Sequence, residues 1–436
     1  MQNKNVGRTI CGIATPTGNG GVGIVRISGP QALEIANKMF DKPLAHHKVV
    51  VGTIHGKDFT DNGLAIYFKA PHSFTGDDVV ELQCHGGYFL LQKIVQAALS
   101  HGAEMATAGE FSKTAFLNGK LSLDQAEAII DIIHAESDLQ LGSAGKIYSG
   151  ALRDRLDSLE KVMVDITAQI EATLDYPEHD IEHTTAQNIL PQIRKLREQI
   201  GALISTAHQG RIISNGINVA VLGKPNVGKS SVFNALLNTD RSIVTATAGT
   251  TTDTISESIH YNGIKITFHD TAGIRESGRT VEKLGIERTK KMLNDCDIVL
   301  VILDDVGDAE LLGIVGDKPH IIVYNKSDIK KYSGVFSVSA KTGANIDEIK
   351  KRIYDIVVSS PIKTDAVIIT NARHLNELVL SANALDSAIH ALQTDIPLDC
   401  VASDVATALN HIGNITGTRA SDAVLSQIFS RFCLGK

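Results

Sequence analysis

The chain has 436 residues and a formal net charge of −7, with 43% hydrophobic and 21% charged residues. This length allows about three domains, each with its own core. The acidic balance argues against a protein that coats nucleic acid without specificity, although it leaves room for a local basic patch. Apolar runs stay short of the roughly 20 residues that cross a bilayer, and residues 1–8 lack the apolar core of a signal peptide. Five cysteines without Cys-x-x-Cys spacing favour a reduced, cytoplasmic location.

The first part of the chain, residues 1–118, is predicted to be an α+β domain. Its predicted helices are 31–40 and 87–99, and its predicted strands include 63–68 and 79–83. Residues 18–23 (GNGGVG) match the spacing of a dinucleotide-binding fingerprint. That fingerprint must open a helix, whereas here a strand-like run follows, so we interpret the segment as a glycine-rich turn.

Residues 119–214 and 361–436 change character to helix, because apolar residues recur at the spacing of one helix face. The predicted helices are 121–134, 152–174, 186–207, 371–392, 403–410 and 421–432, with turns at 175–177 and 209–210. Between the two segments, residues 215–360 alternate strand and helix patterns, as a parallel sheet requires. The simplest architecture is one discontinuous helical domain that carries an inserted α/β domain. Two separate helical domains are the alternative.

A phosphate-binding loop is predicted at residues 223–230 (GKPNVGKS). It follows the apolar, β-branched run 217–222 and precedes a helical pattern, which is the context that such a loop requires. Glycines let the backbone N–H groups point at an anion, and the helix N-terminus adds its positive dipole end. The expected nucleotide-binding residues here are Asn226, Val227, Gly228, Lys229, Ser230 and Ser231. Lys229 would reach the β- and γ-phosphates, and the Ser230 hydroxyl would bind Mg²⁺.

Guanine is the predicted base. The segment Asn325-Lys326-Ser327-Asp328 follows the apolar strand pattern 321–324. The Asp328 carboxylate can accept hydrogen bonds from the ring N–H and the exocyclic amine of guanine, whereas adenine offers neither donor in that arrangement. Further contacts with the base are expected from Ser339, Ala340 and Lys341. Asn-Lys-x-Asp alone is equally compatible with a surface turn, but downstream of a phosphate-binding loop it indicates a GTPase.

A magnesium and γ-phosphate site is expected between these two motifs. The segment Asp270-Thr271-Ala272-Gly273 follows a strand pattern at 264–269. The Asp270 carboxylate would hold Mg²⁺ through water, and the Gly273 N–H would meet the γ-phosphate. The loop-like run 249–251 is suited to supply a hydroxyl to Mg²⁺ when triphosphate is bound. Ile274 stands where many regulatory GTPases have a Gln that orients the attacking water, so another residue must take this role. The positive charge that an arginine finger supplies also needs another source.

Motifs along the whole chain resemble the MnmE (TrmE) family, the tRNA-modification GTPases of bacteria and organelles. The matching segments are residues 14–29, 73–78 (SFTGDD), 109–111 (GEF), 115–120 (AFLNGK) and 432–436 (FCLGK). The resemblance implies an N-terminal domain similar to folate-binding aminomethyltransferase domains, through which the family forms a homodimer. That domain would hold a tetrahydrofolate derivative, in its 5-formyl or methylene form. By motif position its contacts would be Arg26, Glu81, Lys120 and Lys436, each of which would otherwise be interpreted as a solvated charge.

The resemblance also implies that transient dimerisation of the GTPase domains around K⁺ activates hydrolysis, with K⁺ in place of an arginine finger. The K⁺ ligands would be Asn226, Thr245, Thr247 and Thr250, and Thr251 would bind Mg²⁺. The nucleotide-lining loop would comprise Thr245, Ala246, Thr247, Ala248, Gly249, Thr250 and Thr251. Glu282 matches the family's acid that organises the attacking water. Thr252 stands where the family often has Arg, so the role of that arginine is not carried over.

With a flavoprotein partner (MnmG, also called GidA), the family adds an aminomethyl-type group, such as carboxymethylaminomethyl, to C5 of the wobble uridine of certain tRNAs. Cys433 is placed as a covalent or acid/base participant, with a buried structural thiol as the alternative. A rival function is an Era-like GTPase switch in ribosome assembly, which would have no need of a folate pocket. The sequence does not indicate the tRNA surface, because no basic stretch with interleaved aromatic residues stands out.

Overall fold

A computed structural model of the chain describes residues 7–16, 18–175, 179–238, 256–270, 292–305, 312–358, 366–394, 396–433 and 435. The chain divides into two compact units. The first unit comprises Met1–Ile133, Lys146–Arg197 and Leu380–Lys436. The second unit comprises His134–Gly145 and Glu198–Val379.

The first unit contains a mixed sheet with helices packed on it. Its strands are β1 (Ile10–Ile13), β2 (Gly20–Ser28), β3 (Val49–Gly56), β4 (Phe59–Phe68), β5 (Val79–Gly86) and β6 (Glu104–Met105). Their order is β3-β4-β5-β2-β1-β6, with β1 and β6 parallel and the other neighbours antiparallel. Helices α1 (Ala32–Met39) and α2 (Tyr88–Ser100) bury apolar residues against this sheet. The register of β2 and β5 sets Arg26 directly opposite Glu81.

The glycine-rich segment 18–23 leads into strand β2, which confirms that it is not a dinucleotide-binding fingerprint. Its interpretation as a turn is wrong, because Gly20 and Gly23 pair with β5 across an irregular step in register. A Cβ on Gly23 would lie 2.7 Å from a methyl carbon of Leu91, so a larger residue here would force that side chain to move.

Helices make up most of the rest of the first unit. Five more of the described helices belong wholly to this unit: α3 (Glu110–Leu117), α4 (Leu123–Ile133), α6 (Ala151–Asp175), α13 (Leu398–Thr416) and α14 (Asp422–Phe429). Three further described helices contribute residues to both units: α5 (Asp138–Tyr148), α7 (His179–Ser205) and α12 (Ala372–Gln393). The buried stripe of α6, which includes Leu152, Leu156 and Met163, has the predicted helical spacing, and α6 packs along α13. Within the described ranges, none of the helices combines the length and the apolar composition that crossing a membrane requires.

The second unit is built on a mostly parallel sheet. Its strands are β7 (Ile217–Leu222), β8 (Ser256–Tyr261), β9 (Ile264–Asp270), β10 (Ile298–Leu303) and β11 (His320–Tyr324), and its helices are α8 (Ala207–Asn215), α9 (Lys229–Asn238), α10 (Leu312–Val315) and α11 (Ile346–Val357). The strand order is β11-β10-β7-β9-β8, in which only the described pair β8 and β9 is antiparallel. Every residue of β10 is buried, as expected for an inner parallel strand covered on both faces.

The predicted fold class is confirmed: an α+β N-terminal part, a helical part and an α/β part with a phosphate-binding loop. Other local predictions are also wrong. The predicted helix 403–410 is longer, because α13 runs from Leu398 to Thr416. The predicted turn at 209–210 lies inside α8, where Gly210 allows the backbone at Ile369 to approach so closely that a Cβ would overlap its carbonyl oxygen. The predicted domain bounds, 1–118, 119–214 with 361–436, and 215–360, stay predictions.

Candidate functional site

The phosphate-binding loop lies between β7 and α9, at the carboxyl edge of the parallel sheet. Gly228 has a φ of +92°, in the left-handed region that favours glycine. A Cβ on Gly228 would lie 2.4 Å from the side-chain nitrogen of Asn325. A Cβ on Gly223 would lie 2.5 Å from the carbonyl oxygen of Ile302. Both glycines are therefore required for the loop to curl against its neighbours.

Lys229 places a cation inside this loop. Its ammonium donates to the carbonyl oxygens of Gly223 and Lys224, both at 2.8 Å, and the residue is only 9% exposed. Ser230 and Ser231 follow in the first turn of α9 and are exposed. The loop thus combines an ammonium with a helix N-terminus, and this arrangement stabilises phosphate groups.

Asn325, in the predicted base-recognition loop (residues 325–328), ties the phosphate-binding loop to residues 339–341. Its side-chain nitrogen donates to the carbonyl oxygen of Val227 at 3.0 Å, and its side-chain oxygen accepts from the N–H of Ala340 at 3.2 Å. Its own backbone N–H donates to the Leu303 carbonyl at the end of β10. Because Asn325 is 3% exposed, these bonds satisfy groups that water cannot easily reach. The sequence indicated that Asn325 binds nucleotide, but not that it joins two loops.

Asp328 is exposed, and a buried hydroxyl orients its carboxylate. Ser339 Oγ donates to Asp328 Oδ1 at 2.7 Å, and Ser339 is fully buried. The N–H of Thr342 donates to the same hydroxyl oxygen at 3.2 Å. Lys341 is exposed beside them. Ser339 therefore orients Asp328, a contact that sequence reasoning missed when it assigned this segment only to the base itself.

Lys326 is held by Asp304, an acid that lies outside the predicted motifs. The Lys326 ammonium donates to Asp304 Oδ2 at 2.8 Å and to the carbonyl oxygen of Asn226 at 2.9 Å. The hydrogen bond from Lys326 keeps the pKa of the Asp304 carboxyl below its usual value. The available sequence signal was an acid directly after the apolar strand β10.

The structure describes only part of the predicted metal and switch residues. Asp270 ends β9 beside Val221 of β7, which puts its backbone at the phosphate-binding edge. Asn226 is exposed in the loop, with a φ of +66°. The predicted site residues that lie outside the described residues are Thr245, Ala246, Thr247, Ala248, Gly249, Thr250, Thr251, Thr271, Ala272, Gly273, Glu282 and Lys436.

In the first unit, Arg26 and Glu81 form an ion pair at the predicted folate site. Arg26 Nη2 and Nε donate to Glu81 Oε1 at 2.8 and 3.0 Å, and the two side chains are 13% and 17% exposed. The rings of Phe74 and Phe111 lie 5.2 and 5.5 Å from the guanidinium carbon. Arg26 Nη1 also donates to the carbonyl oxygen of Gly435 at 3.2 Å. Gly435, which belongs to the 432–436 motif, therefore reaches the same place.

Lys120 lies against the loop that carries Phe74. Its ammonium donates to the carbonyl oxygen of Pro71 at 2.9 Å, and its stem passes close to Gly76. The structure thus links Lys120 to the loop that contacts Arg26. Cys433 is an exposed free thiol, which excludes the alternative of a buried structural cysteine.

The parallel sheet, the curled loop around Lys229 and the oriented carboxylate of Asp328 define a P-loop nucleotide-binding protein. Matches to known protein families give a narrower classification than the site geometry. The family "GTP-binding protein TrmE N-terminus" matches residues 9–120, and the family "MnmE helical domain" matches residues 123–433. The chain belongs to the MnmE family of tRNA modification GTPases.

Similar proteins cover almost the whole chain. The tRNA modification GTPase MnmE of Acetivibrio thermocellus is 37% identical over 98% of this chain and 99% of its own length. That of Caldicellulosiruptor saccharolyticus is 38% identical with the same coverage. Among solved structures, an Era variant of Aquifex aeolicus bound to GDP and aluminium fluoride is 28% identical, with a TM-score of 0.26, over 38% of this chain and 66% of that chain. The G domain of the Thermotoga maritima FeoB iron transporter is 25% identical, with a TM-score of 0.24, over 32% of this chain and 97% of that chain.

Proposed function

We propose that the protein is a K⁺-stimulated GTPase that works with an MnmG/GidA-type flavoprotein in the cytoplasm. Together they would add a carboxymethylaminomethyl-type group to C5 of the wobble uridine of certain tRNAs. The names of similar proteins that match nearly the full chain support the tRNA part of this proposal. The geometry of the second unit supports the GTPase part.

The observation that carries the GTPase proposal is the Asp328 carboxylate held by Ser339 Oγ at 2.7 Å. Because this hydroxyl donates to one carboxylate oxygen, the carboxylate is oriented before a base arrives. An exposed, oriented carboxylate can accept from the two neighbouring N–H groups of guanine. A base that lacks these donors leaves the carboxylate unpaired, which costs binding free energy. The site is therefore suited to select guanine.

Mg²⁺ and K⁺ fit the oxygen donors of the phosphate-binding loop. The Ser230 hydroxyl, one residue after Lys229, would bind Mg²⁺ together with Thr251. Asn226, exposed in the same loop, would bind K⁺ together with Thr245, Thr247 and Thr250. When bound, the two cations would neutralise charge that develops on the phosphate groups during hydrolysis. Glu282 would organise the attacking water.

A tetrahydrofolate derivative fits the Arg26–Glu81 pair. The Glu81 carboxylate accepts hydrogen bonds and could pair with the N–H edge of a pterin, while the Arg26 guanidinium donates to carbonyl or carboxylate oxygens. Phe74 and Phe111 add aromatic surface beside these polar groups. Lys120 and Lys436 would contact the glutamyl carboxylates. The bound folate would supply a one-carbon unit.

The remaining parts of the proposal concern assembly and the thiol. The protein would form a homodimer through its N-terminal domain, and its GTPase domains would dimerise transiently around K⁺. The exposed Cys433 thiol would take part as a covalent or acid/base group. Its place next to the Gly435 segment, whose carbonyl contacts Arg26, supports this assignment.

The test is GTP turnover by the purified protein in matched KCl and NaCl. Faster turnover in KCl supports the proposal, equal rates refute the potassium part, and no turnover in either salt refutes the GTPase. Thermal unfolding with and without 5-formyltetrahydrofolate tests the modification function. Stabilisation supports the folate site, whereas its absence favours an Era-like assembly switch, which has no need of folate.

A further inference from the structure

We propose that Asp304 is a positioning residue for guanine nucleotides, because it holds the Lys326 ammonium against the phosphate-binding loop. This inference rests on the proposed GTPase function and assigns a residue that lies outside its motifs. Asp304 would not touch the nucleotide; it would act through Lys326.

The strand order places Asp304 between the two loops that bind the nucleotide. Strand β10 lies between β7 and β11 and is parallel to both. The phosphate-binding loop follows β7, the base-recognition loop follows β11, and Asp304 directly follows β10. Because parallel strands end at the same edge, a side chain at this position can reach both loops.

The Lys326 ammonium contacts both Asp304 and the phosphate-binding loop. It lies 2.8 Å from Asp304 Oδ2 and 2.9 Å from the carbonyl oxygen of Asn226, so it bridges β10 and the phosphate-binding loop. The side chains of Lys326 and Asp304 are 32% and 27% exposed, which leaves their attraction only partly screened. A charge-assisted hydrogen bond of this kind is stronger than a neutral one.

This bridge determines where the Lys326 stem runs. The Lys326 Cα belongs to the base-recognition loop and has a left-handed φ of +67°, which costs free energy unless the surroundings hold it. The ammonium is fixed at Asn226, so the four-carbon stem crosses from the base-recognition loop to the phosphate-binding loop. A nucleotide whose base meets Asp328 and whose phosphates meet Lys229 must lie along the same span. Without the Asp304 carboxylate, the ammonium has lost its charged partner and is free to turn toward solvent.

The backbone of Asp304 is anchored independently of its carboxylate. Its carbonyl oxygen accepts from Lys330 Nζ at 2.7 Å and lies 3.0 Å from the Tyr332 hydroxyl. That hydroxyl also lies 2.9 Å from the carbonyl oxygen of Asn325. Asp304→Asn leaves these backbone contacts in place, so we expect the substitution to alter Lys326 without unfolding the loop.

The experiment measures dissociation of mant-GDP from the full chain in the presence of Mg²⁺. Asp304→Asn is expected to raise the dissociation rate about tenfold, since a hydrogen bond between charged groups is lost. The GTP KM should rise while kcat is largely retained, because the residue positions the nucleotide and does not contact the reacting phosphate. The matched control is Asp305→Asn, which removes the same charge from the exposed neighbouring residue and should stay within about twofold of the wild type.

Lys326→Met breaks the same contact from the other side, and it completes a double-mutant cycle. If Asp304 acts through Lys326, Asp304→Asn has no further effect on dissociation in the Lys326→Met background. An undiminished effect in that background overturns the inference, and so does a rate for Asp304→Asn equal to that of Asp305→Asn. Failure of the wild type to bind mant-GDP refutes the proposed function as well, so the two failures are distinguishable.

Discussion

The Ser339 hydroxyl offers a direct test of how guanine is recognised. Ser339→Ala removes the donor that holds Asp328 Oδ1 at 2.7 Å, together with the acceptor of the Thr342 N–H. It leaves the carboxylate, the phosphate-binding loop and the Asn325 contact with Val227 intact. Ser339 is fully buried, so the substitution changes little on the protein surface. We therefore expect a specific loss of guanine nucleotide affinity.

The magnitude follows from the type of hydrogen bond that is lost. A hydrogen bond to a charged group contributes about 1.5–3 kcal/mol. Asp328 is exposed, so water can replace part of the lost donor, and we expect the net loss to be about 1 kcal/mol. That free energy corresponds to about a fivefold weaker Kd. The preference for GDP over IDP should also fall, because IDP lacks the exocyclic amine that a well-oriented carboxylate would accept from.

The assay is fluorescence titration with mant-GDP, followed by competition with GDP and IDP. Ser337→Ala is the control, because Ser337 lies two residues away and its carbonyl oxygen, which accepts from Asn345, survives the substitution. This control should bind like the wild type. If Ser339→Ala binds mant-GDP as tightly as Ser337→Ala, orientation of Asp328 by this hydroxyl does not contribute to recognition, and the reasoning is refuted.

Four other predictions concern the base, the reaction, the folate site and the thiols. Asp328→Asn should shift preference from guanine to xanthine nucleotides in competition titrations, and unchanged GTP affinity would contradict base recognition by this carboxylate. Glu282→Ala should keep mant-GDP binding but lose most GTP turnover, and a fully active variant would remove Glu282 from the mechanism. Glu81→Gln should abolish thermal stabilisation by 5-formyltetrahydrofolate, since it removes the charged partner of Arg26; an unchanged shift would place the folate elsewhere. The Asp399 charge raises the pKa of the exposed Cys400 thiol. Asp399→Asn should therefore speed alkylation of Cys400 by iodoacetamide at pH 8 roughly two- to fivefold, as measured by mass spectrometry. An equal rate would show that Asp399 does not cause the raised pKa.

Sequence reasoning was most successful where local structure depends on contiguous residues. Residues 223–230 carry their own context, because an apolar strand precedes them and an amphipathic helix follows. The helix α6 was predicted within one residue at each end, since its apolar residues recur at the period of a helix face. The error at residues 209–210 has the opposite cause: glycine was interpreted as a turn signal, whereas Gly210 serves close approach of the backbone at Ile369.

The sequence by itself determined the strand, loop and helix of the phosphate-binding loop, because these elements are adjacent in the chain and are encoded by short-range patterns. Only the tertiary structure decided which side chains act together across the sheet. Lys326 contacts Asp304, 22 residues earlier in the chain, and Asn226, 100 residues earlier. Arg26 contacts the backbone of Gly435, which lies 409 residues later. Periodicity specifies which face of a strand is buried, but not which other strand ends beside it. That neighbour is set by the order and register of the strands, which the packing of the whole sheet determines.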